Sequence, residues 1–276
     1  MSIIISLTST LARLPLLRFT LLSIFDQDSS ADRIVLCLSS DPYLIDEGVR
    51  ELPHWLSAMA AQGMVEIMWV ENTGPYRKLI PVFRSASSHD WIITCDDDVI
   101  YDKGWLSSLV KTGKDHPDAI VCGRARRSVE NFFGRRQSYL NWPLVPMGTS
   151  GTELLPIGVA GVLYRKPLMD HRIMLSDDYK KLAPKQDDLW FNLARQLSGR
   201  EVVVSLEADN YVYPIEAPGA LSKTNVGTNL CGWDRFFLAL CGRLLLKFKA
   251  YMGVSLCDND LVIKKLEHYK RSMMTS

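Results

Sequence analysis

Residues 91–101 read WIITCDDDVIY, an apolar run rich in β-branched residues that ends abruptly in the three carboxylates of Asp96, Asp97 and Asp98. A strand covered on both faces of a parallel sheet is apolar without alternation, so residues 91–95 are predicted to form a buried strand. Open α/β sheets bind their ligands at the carboxyl ends of strands. The stretch therefore predicts an α/β fold with a site at the end of this strand.

The three adjacent aspartates indicate a divalent cation. Carboxylates this close repel one another and stay ionised together only beside positive charge. Hard oxygen ligands suit Mg²⁺ or Mn²⁺. The alternative is a solvated turn in which an aspartate caps the following helix, but one aspartate is enough for that. Three of them favour the metal site.

Strands and helices alternate on both sides of this stretch as far as residue 123. The predicted strands cover residues 3–7, 33–38, 64–70, 91–95 and 119–122, and the predicted helices cover residues 15–25, 53–61, 77–85 and 102–114. This spacing predicts a mostly parallel, doubly wound sheet flanked by helices. Beyond it, residues 124–151 read as a long arginine-bearing loop, and residues 157–164 (IGVAGVLY) and 201–206 as strands.

A second acidic pair, Asp187 and Asp188, opens a predicted helix. The apolar residues at positions 189, 190, 193, 194 and 197 fall on one helical face, and Gly199 ends the run. Capping of the helix accounts for one of the two aspartates. The other is a candidate for chemistry.

Composition narrows the class of protein. The chain has 276 residues and a formal net charge of +1, which argues against nucleic acid as the main partner. Its six cysteines are scattered without a CxxC pair, as expected of buried thiols in a reducing cytosol. The N-terminus lacks the basic region of a signal peptide, and no long uncharged apolar stretch predicts a membrane-spanning helix. We therefore expect a cytoplasmic protein.

The order of these segments resembles nucleotide-sugar-dependent glycosyltransferases of the GT-A (Rossmann-like) fold, close to the family 2-like enzymes of bacterial surface polysaccharide synthesis. The resemblance rests on SLTSTLARLPLL at the first strand, ENTGPYRKL after the third, the DxD motif of residues 96–98, PIGVAGVLY and QDDLWF. It implies a catalytic domain over residues 1–206, with a nucleotide half at about 1–123 and an acceptor half at about 124–206. Residues 207–276 would form a mostly helical extension packed on that domain.

The resemblance also implies roles for single residues. Asp98 would ligate Mn²⁺ or Mg²⁺ on the donor diphosphate, and Asp96 would be a second ligand lying nearer the ribose. The remaining nucleotide-binding candidates are Asp97, Lys78, Glu71, Thr8, Ser9, Thr10 and Arg13. Glu71 takes the place where the family often has an aspartate that reads the base. For residues 8–13 a polar turn with a surface arginine is the alternative.

Transfer with inversion needs a carboxylate that takes the proton of the acceptor hydroxyl. The family places this base in such an acidic pair, which implies Asp188, with Asp187 as the alternative. The implied enzyme is metal-dependent and inverting, and it moves a sugar from a nucleotide sugar, UDP favoured, to a glycan or lipid-linked acceptor. Two alternatives stay open: a metal-dependent nucleotidyl- or phosphotransferase, and a non-catalytic nucleotide-sugar-binding subunit.

Residues 233–252 predict a helix in which basic residues flank an apolar stripe. Such a helix can lie in a membrane interface, which would place the protein peripherally on the inner face of the membrane. The alternative is a helix packed on the sheet with basic side chains that extend to solvent.

Overall fold

The computed structural model describes residues 1–215 and 244–275. The strands are Ile3–Thr8 (β1), Arg33–Leu38 (β2), Glu66–Trp69 (β3), Trp91–Thr94 (β4), Val99–Tyr101 (β5), Ile120–Cys122 (β6), Ala125–Arg127 (β7), Ser150–Gly151 (β8), Leu154–Pro156 (β9), Val162–Tyr164 (β10), Val202–Val204 (β11) and Val212–Pro214 (β12). The α-helices include Leu14–Phe25 (α1), His54–Ala61 (α2), Ile80–Ser85 (α3), Trp105–Asp115 (α4), His171–Leu175 (α5), Tyr179–Leu182 (α6), Asp187–Leu197 (α7) and Asp258–Thr275 (α8). Residues 244–251 are also helical.

An eight-stranded sheet in the order β3-β2-β1-β4-β10-β6-β11-β8 forms the centre of the fold. The strands from β3 to β4 are mutually parallel, and β11 is parallel to β6. Strand β10 runs antiparallel to both β4 and β6, and β8 runs antiparallel to β11. The carboxyl ends of β1, β2, β4 and β6 therefore lie at one edge of the sheet, together with the amino end of β10.

Both faces of the sheet are buried, which explains the continuous apolar runs in its strands. Ile4 and Ile92 belong to one hydrophobic core, together with residues of α3, α5, α7 and α8. Ile5 and Ile93 point to the opposite face and pack with residues of α1, α2 and α4. The predicted α/β fold with a mostly parallel sheet flanked by helices is confirmed.

Two local predictions were wrong, and one strand was not predicted. Residues 157–164 are not one strand, because Gly158–Ala160 form a 3-10 turn and only Val162–Tyr164 pair in the sheet. The helix predicted over residues 77–85 is interrupted, with a 3-10 turn at Gly74–Lys78 before α3. Strand β5 was missed altogether, because its partner β12 lies more than a hundred residues later in the chain.

The chain after residue 206 first forms a small two-stranded sheet, separate from the central one. Strand β12 pairs with β5, and the Ile215 amide donates a hydrogen bond to the Asp98 carbonyl (2.8 Å). Helix α8 then packs on the domain, where Tyr269 stacks on Trp190 of α7 with ring centroids 5.9 Å apart. Of the helix predicted over 233–252, residues 233–243 lie outside the described residues.

Buried cysteines agree with the sequence. Cys37, Cys95 and Cys122 are free thiols inside the protein. Within residues 1–215 and 244–275, no helix is both long and apolar enough to cross a membrane.

Candidate active site

The loops that follow β1 and β4 meet at the edge of the sheet. The hydroxyl of Ser9 donates a 2.5 Å hydrogen bond to Asp97, and the Arg13 guanidinium lies 2.7 Å from the same carboxylate. Arg13 also pairs with Asp98 at 2.5 Å. Parallel pairing of β1 with β4 sets both loops at the same height, so residues almost ninety positions apart come into contact.

Asp97 is buried beneath the two loops. Only 4% of the residue is exposed, and both carboxylate oxygens are engaged by Ser9 and Arg13. Burial raises the pKa of Asp97 to about 6, although Arg13 and Ser9 act in the opposite direction. The side chains of Asp96 and Asp98 are more open, with 30% and 39% of their surface exposed. The two outer aspartates of the motif are therefore the ones that can reach a ligand.

Lys78 joins the two acidic motifs. Its ammonium lies 3.0 Å from Asp96 at the end of β4 and 2.9 Å from Asp187 at the start of α7. Burial lowers the pKa of Lys78, but the carboxylates of Asp187, Asp96 and Asp188 outweigh it and raise that pKa well above its usual value. The lysine is thus a permanent positive charge between the two carboxylate groups.

Asp188 lies beside Lys78, against the turn that precedes β10. One of its oxygens accepts a hydrogen bond from the Gly158 amide (3.2 Å). Burial and then the neighbouring Asp187 raise the pKa of Asp188 to about 7, whereas Lys78 and the Gly158 amide lower it. A carboxylate that titrates near neutral pH can accept a proton from a hydroxyl group and release it again.

A side chain at Gly158 would press on two charged groups of the site. A Cβ atom at this position would lie 2.9 Å from the Lys78 ammonium and 3.1 Å from an Asp188 oxygen. The turn is held by α4 and β5: Trp105 donates to the Ala160 carbonyl (2.9 Å), and the Tyr101 hydroxyl donates to the Val159 carbonyl (3.0 Å). The same Tyr101 oxygen accepts from the Asp96 amide, so it fixes the motif and the turn together.

Sequence reasoning missed a buried ion pair behind the first loop. Arg77 is 1% exposed and pairs with Asp46 at 2.8 Å. Its guanidinium also donates to the Ser9 carbonyl (3.2 Å), and Asp46 accepts from Asn72 (3.0 Å). No local pattern marks these residues, because the pair forms only when the loops after β2 and β3 fold together.

Several sequence candidates lie elsewhere or are engaged otherwise. Glu71 has a side chain that is 72% exposed, and it pairs with Lys180 at 2.8 Å. The Thr8 hydroxyl donates to the Cys37 carbonyl (2.8 Å), and the Thr10 carbonyl accepts from the Arg13 amide. Three arginines of the 124–151 loop pair with carboxylates: Arg124 with Asp209, Arg127 with Glu153 and Arg136 with Glu267.

Basic side chains of the protein pair with the aspartates of the DxD motif in this structure. In the described part of the chain, no three His, Cys, Asp or Glu side chains are grouped so that they could hold a metal ion by themselves. The physical reason is visible in the contacts: Asp97 is buried, Asp98 pairs with Arg13, and Asp96 pairs with Lys78.

Fold and sequence together define the class as glycosyltransferase. A family model described as "Glycosyl transferase family 2" matches residues 2–172, which is more than half of the chain. The chain belongs to glycosyl transferase family 2. No curated protein matches the sequence.

Solved structures with a similar fold include those of S. aureus TarS. A structure of TarS residues 1–349 is 14% identical and has a TM-score of 0.50, covering 78% of this chain and 60% of that chain. A complex of the same fragment with UDP gives a TM-score of 0.50 at 14% identity, covering 79% and 61%. TarS itself gives 0.53 at 13% identity, covering 94% and 45%. This chain therefore spans about 60% of the shorter relative, and at such identity the likeness shows the fold alone.

Proposed function

We propose that the chain transfers a sugar from a nucleotide sugar, UDP-sugar favoured, to a hydroxyl group of a glycan or lipid-linked acceptor of surface polysaccharide synthesis, with inversion at the sugar carbon. The observation that carries this proposal is the position of Lys78 between Asp96 and Asp187. Two acidic motifs that are about ninety residues apart in sequence share one ammonium group. Family membership favours glycosyl transfer over nucleotidyl transfer or binding without turnover.

The donor nucleotide would lie against the loops after β1 and β4. In the proposed division, residues 1–123 bind the nucleotide, residues 124–206 bind the acceptor, and the remainder packs on both. Thr8, Ser9, Thr10, Arg13, Lys78, Asp96 and Asp97 form or support the proposed nucleotide site. The UDP complex of TarS supports a uridine nucleotide by similarity of fold family. For Glu71 only the resemblance supports a contact with the base.

A divalent cation, Mn²⁺ or Mg²⁺, fits the chemistry of this edge although the protein does not enclose it. Mg²⁺ in nucleotide sites is commonly held by one or two carboxylates together with the substrate phosphates. Asp98 and Asp96 supply oxygen donors on partly exposed side chains, and they would hold the ion. When bound, the cation supplies charge neutralisation for the diphosphate that leaves. Arg13 and Lys78 contribute positive charge at the same place.

Asp188 is the proposed general base. Its carboxylate takes the proton of the acceptor hydroxyl while the hydroxyl oxygen forms a bond to the sugar carbon. The bond from that carbon to the diphosphate oxygen breaks, and its electron pair leaves with the nucleotide. Lys78 favours that departure because fixed positive charge stabilises the developing anion. Asp187 pairs directly with Lys78, so it orients the ammonium group and is the less suitable base.

The proposed membrane contact involves an exposed apolar surface, defined here as residues 244–246, Phe248, Phe132 and Phe133. Phe132 is 89% exposed and Phe133 67%, and Phe248 is 60% exposed. The Tyr251 hydroxyl accepts a hydrogen bond from the Phe132 amide (3.0 Å), which joins the loop to the helical segment. The proposed partner is the surface of an anionic bilayer, which a lipid-linked acceptor would require the enzyme to reach.

Basic side chains support that choice of partner. Lys247 and Lys249 are both exposed within the same helical segment. Apolar residues flanked by lysines bind anionic interfaces through buried area and electrostatic attraction together.

A donor screen tests the proposed function. The protein is incubated with a panel of nucleotide sugars and Mn²⁺, and the released nucleotide is measured with and without candidate glycan acceptors. Release of UDP supports glycosyl transfer, whereas release of pyrophosphate would indicate nucleotidyl transfer. Binding without any release would indicate a non-catalytic subunit.

The variant Asp188→Asn tests the assignment of the base. It should keep the affinity for UDP and lose transfer by about a hundredfold or more, in line with the usual contribution of a general base. The matched variant Asp187→Asn should retain more activity. If Asp187→Asn alone abolishes transfer, the base is the neighbouring residue.

A further inference from the structure

A cavity lies away from the Lys78 group, between α7, α8 and the 128–155 region. Its volume is about 590 Å³, within the range of small-molecule sites. The lining combines apolar side chains, such as Trp142 and Leu193, with amide and charged groups.

The helix that carries the proposed base, α7, also lines the cavity. Residues four apart on a helix are neighbours on one face, so Asn192 follows Asp188 along α7. Asn192 and Gln196 both line the cavity. At a rise of about 1.5 Å per residue, Gln196 lies roughly 12 Å from Asp188 along the helix axis. A ligand in the cavity therefore contacts the same helix that carries the proposed base.

Two basic side chains of the cavity lining, Arg195 and Lys270, have hydrogen-bond partners that carry no charge. Arg195 is 1% exposed, and its hydrogen bonds go to neutral oxygens: the Asn192 amide and the carbonyls of Arg200, Thr152 and Leu154. Lys270 donates to the amide oxygen of Gln196 (3.1 Å). Both cations therefore bond neutral groups in the described part of the chain.

The acidic side chains of the lining are mostly engaged. Glu267 pairs with Arg136. Glu153 pairs with Arg127 at 3.1 Å, and Glu130 adds one more negative charge. Arg200 pairs with Asp118, but its Nε is a buried donor for which the described residues provide no acceptor. The lining therefore contains two cations that bond neutral groups, Arg195 and Lys270, and one donor without an acceptor among the described residues, the Arg200 Nε. Glu130 is the remaining carboxylate.

We propose that this cavity binds an anionic group, a phosphate or a carboxylate carried on a small molecule or a sugar, with Lys270 and Gln196 as its contacts on α8 and α7. Charge-assisted hydrogen bonds to such a group would give Lys270 an anionic partner, and would give the Arg200 Nε an acceptor that the described residues do not provide. Burial, and then the nearby Arg195 and Arg136, lower the pKa of Lys270, so an added anion would relieve repulsion between the cations. The site is distinct from the proposed donor site and does not depend on the proposed function.

Calorimetric titration of the whole chain with inorganic phosphate and with glucose 6-phosphate tests the proposal, with UDP present to occupy the donor site. We expect one saturable site in the wild type. Lys270→Gln should weaken it about tenfold, the value of one charge-assisted hydrogen bond. Gln196→Glu, which supplies a carboxylate to Lys270 from within the protein, should weaken it at least as much. Lys265→Gln, an exposed lysine on the same helix, is the matched control and should bind as the wild type does.

Lys270→Gln and Gln196→Glu lie on different helices. If one of them folds poorly, the other still tests the proposal. The proposal is overturned if neither probe shows saturable binding, or if Lys270→Gln and Gln196→Glu bind as tightly as Lys265→Gln. A transfer assay then separates the sources of the anion. Competition of glucose 6-phosphate with the acceptor identifies an acceptor subsite, and an effect without competition identifies a separate effector; both outcomes retain the site.

Discussion

Replacement of Lys78 by methionine tests how the two acidic motifs depend on each other. Methionine is similar in shape to the aliphatic part of lysine and lacks its charged end, so Asp96 and Asp187 lose the ammonium that lies 3.0 Å and 2.9 Å from them. As the proposed base, Asp188 would have to be ionised to accept a proton, and Lys78 is one of the groups that lower its pKa. The variant should therefore need a higher pH before Asp188 can act.

The size of the effect follows from the geometry. The Lys78 ammonium and an Asp188 oxygen lie 2.9 Å and 3.1 Å from the position of a Cβ on Gly158, so roughly 6 Å or less separates them. An opposite charge at about 4–6 Å lowers the pKa of a carboxyl group by about 1 to 3. The pKa of Asp188 is about 7 with Lys78 present. Loss of the ammonium should move the midpoint of the acid limb of kcat/KM upward by about one pH unit or more.

Stability should also fall. Removal of one partner from a buried ion pair costs about 3–5 kcal/mol, and less where the remaining carboxylates take up protons. Because the pKa of Lys78 in the folded protein is raised, its contribution is complete below the unfolded value of about 10.4 and is lost only above it. Urea unfolding at pH 7 therefore measures the whole contribution.

The assay is nucleotide release as a function of pH, for the wild type, Lys78→Met and Asp187→Asn. The second variant removes a negative neighbour that raises the pKa of Asp188, so its midpoint should move downward. Lys78→Arg keeps the positive charge and should leave the midpoint near that of the wild type. If Lys78→Met leaves the midpoint unchanged, or if both charge-removing variants move it in the same direction, the electrostatic account of Asp188 is wrong.

Three further predictions concern the metal, the turn and the membrane. Asp98→Ala should abolish the Mn²⁺-dependent part of UDP binding, and unchanged calorimetric binding would refute the role of Asp98 as a metal ligand. Gly158→Ala should reduce transfer about tenfold or more because its Cβ displaces the Lys78 ammonium, while the urea midpoint changes little since the end of a lysine can move. The wild type should pellet with anionic liposomes at low salt, and Phe132→Ser with Phe133→Ser should weaken this; an absence of pelleting by the wild type would rule out the membrane contact.

Local sequence patterns were sufficient for most of the secondary structure. Strands β1, β2, β4 and β6 are short apolar runs between turn residues, and their predicted positions agree with the structure to within a residue or two. The glycine-bearing segment before β10 was misread because a run of small apolar residues has the same pattern in a strand and in a tight turn. Strand β5 has three residues and depends on pairing with β12, so no local pattern identifies it.

In the candidate site, too, some residues could be found from local sequence patterns and others could not. The DxD motif and the acidic pair could be found because several carboxylates in a row are unusual at the end of an apolar strand or at the start of a helix. The Asp46–Arg77 pair could not, since a single aspartate in a loop and a single arginine beside a proline turn are ordinary surface residues until folding buries them. The role of Lys78 as a bridge also required the fold.

The sequence by itself determined the α/β architecture and the two acidic motifs, because strand burial, helix periodicity and runs of carboxylates are properties of neighbouring residues. Only the tertiary structure decided that Lys78 lies between those motifs, that Asp97 faces inward while Asp96 and Asp98 remain open, and that the Gly158 amide meets Asp188. The physical reason is that parallel pairing of β1 with β4 and the reversed strand β10 bring distant loops to one edge of the sheet, and contacts across that edge have no signature in a local stretch of chain.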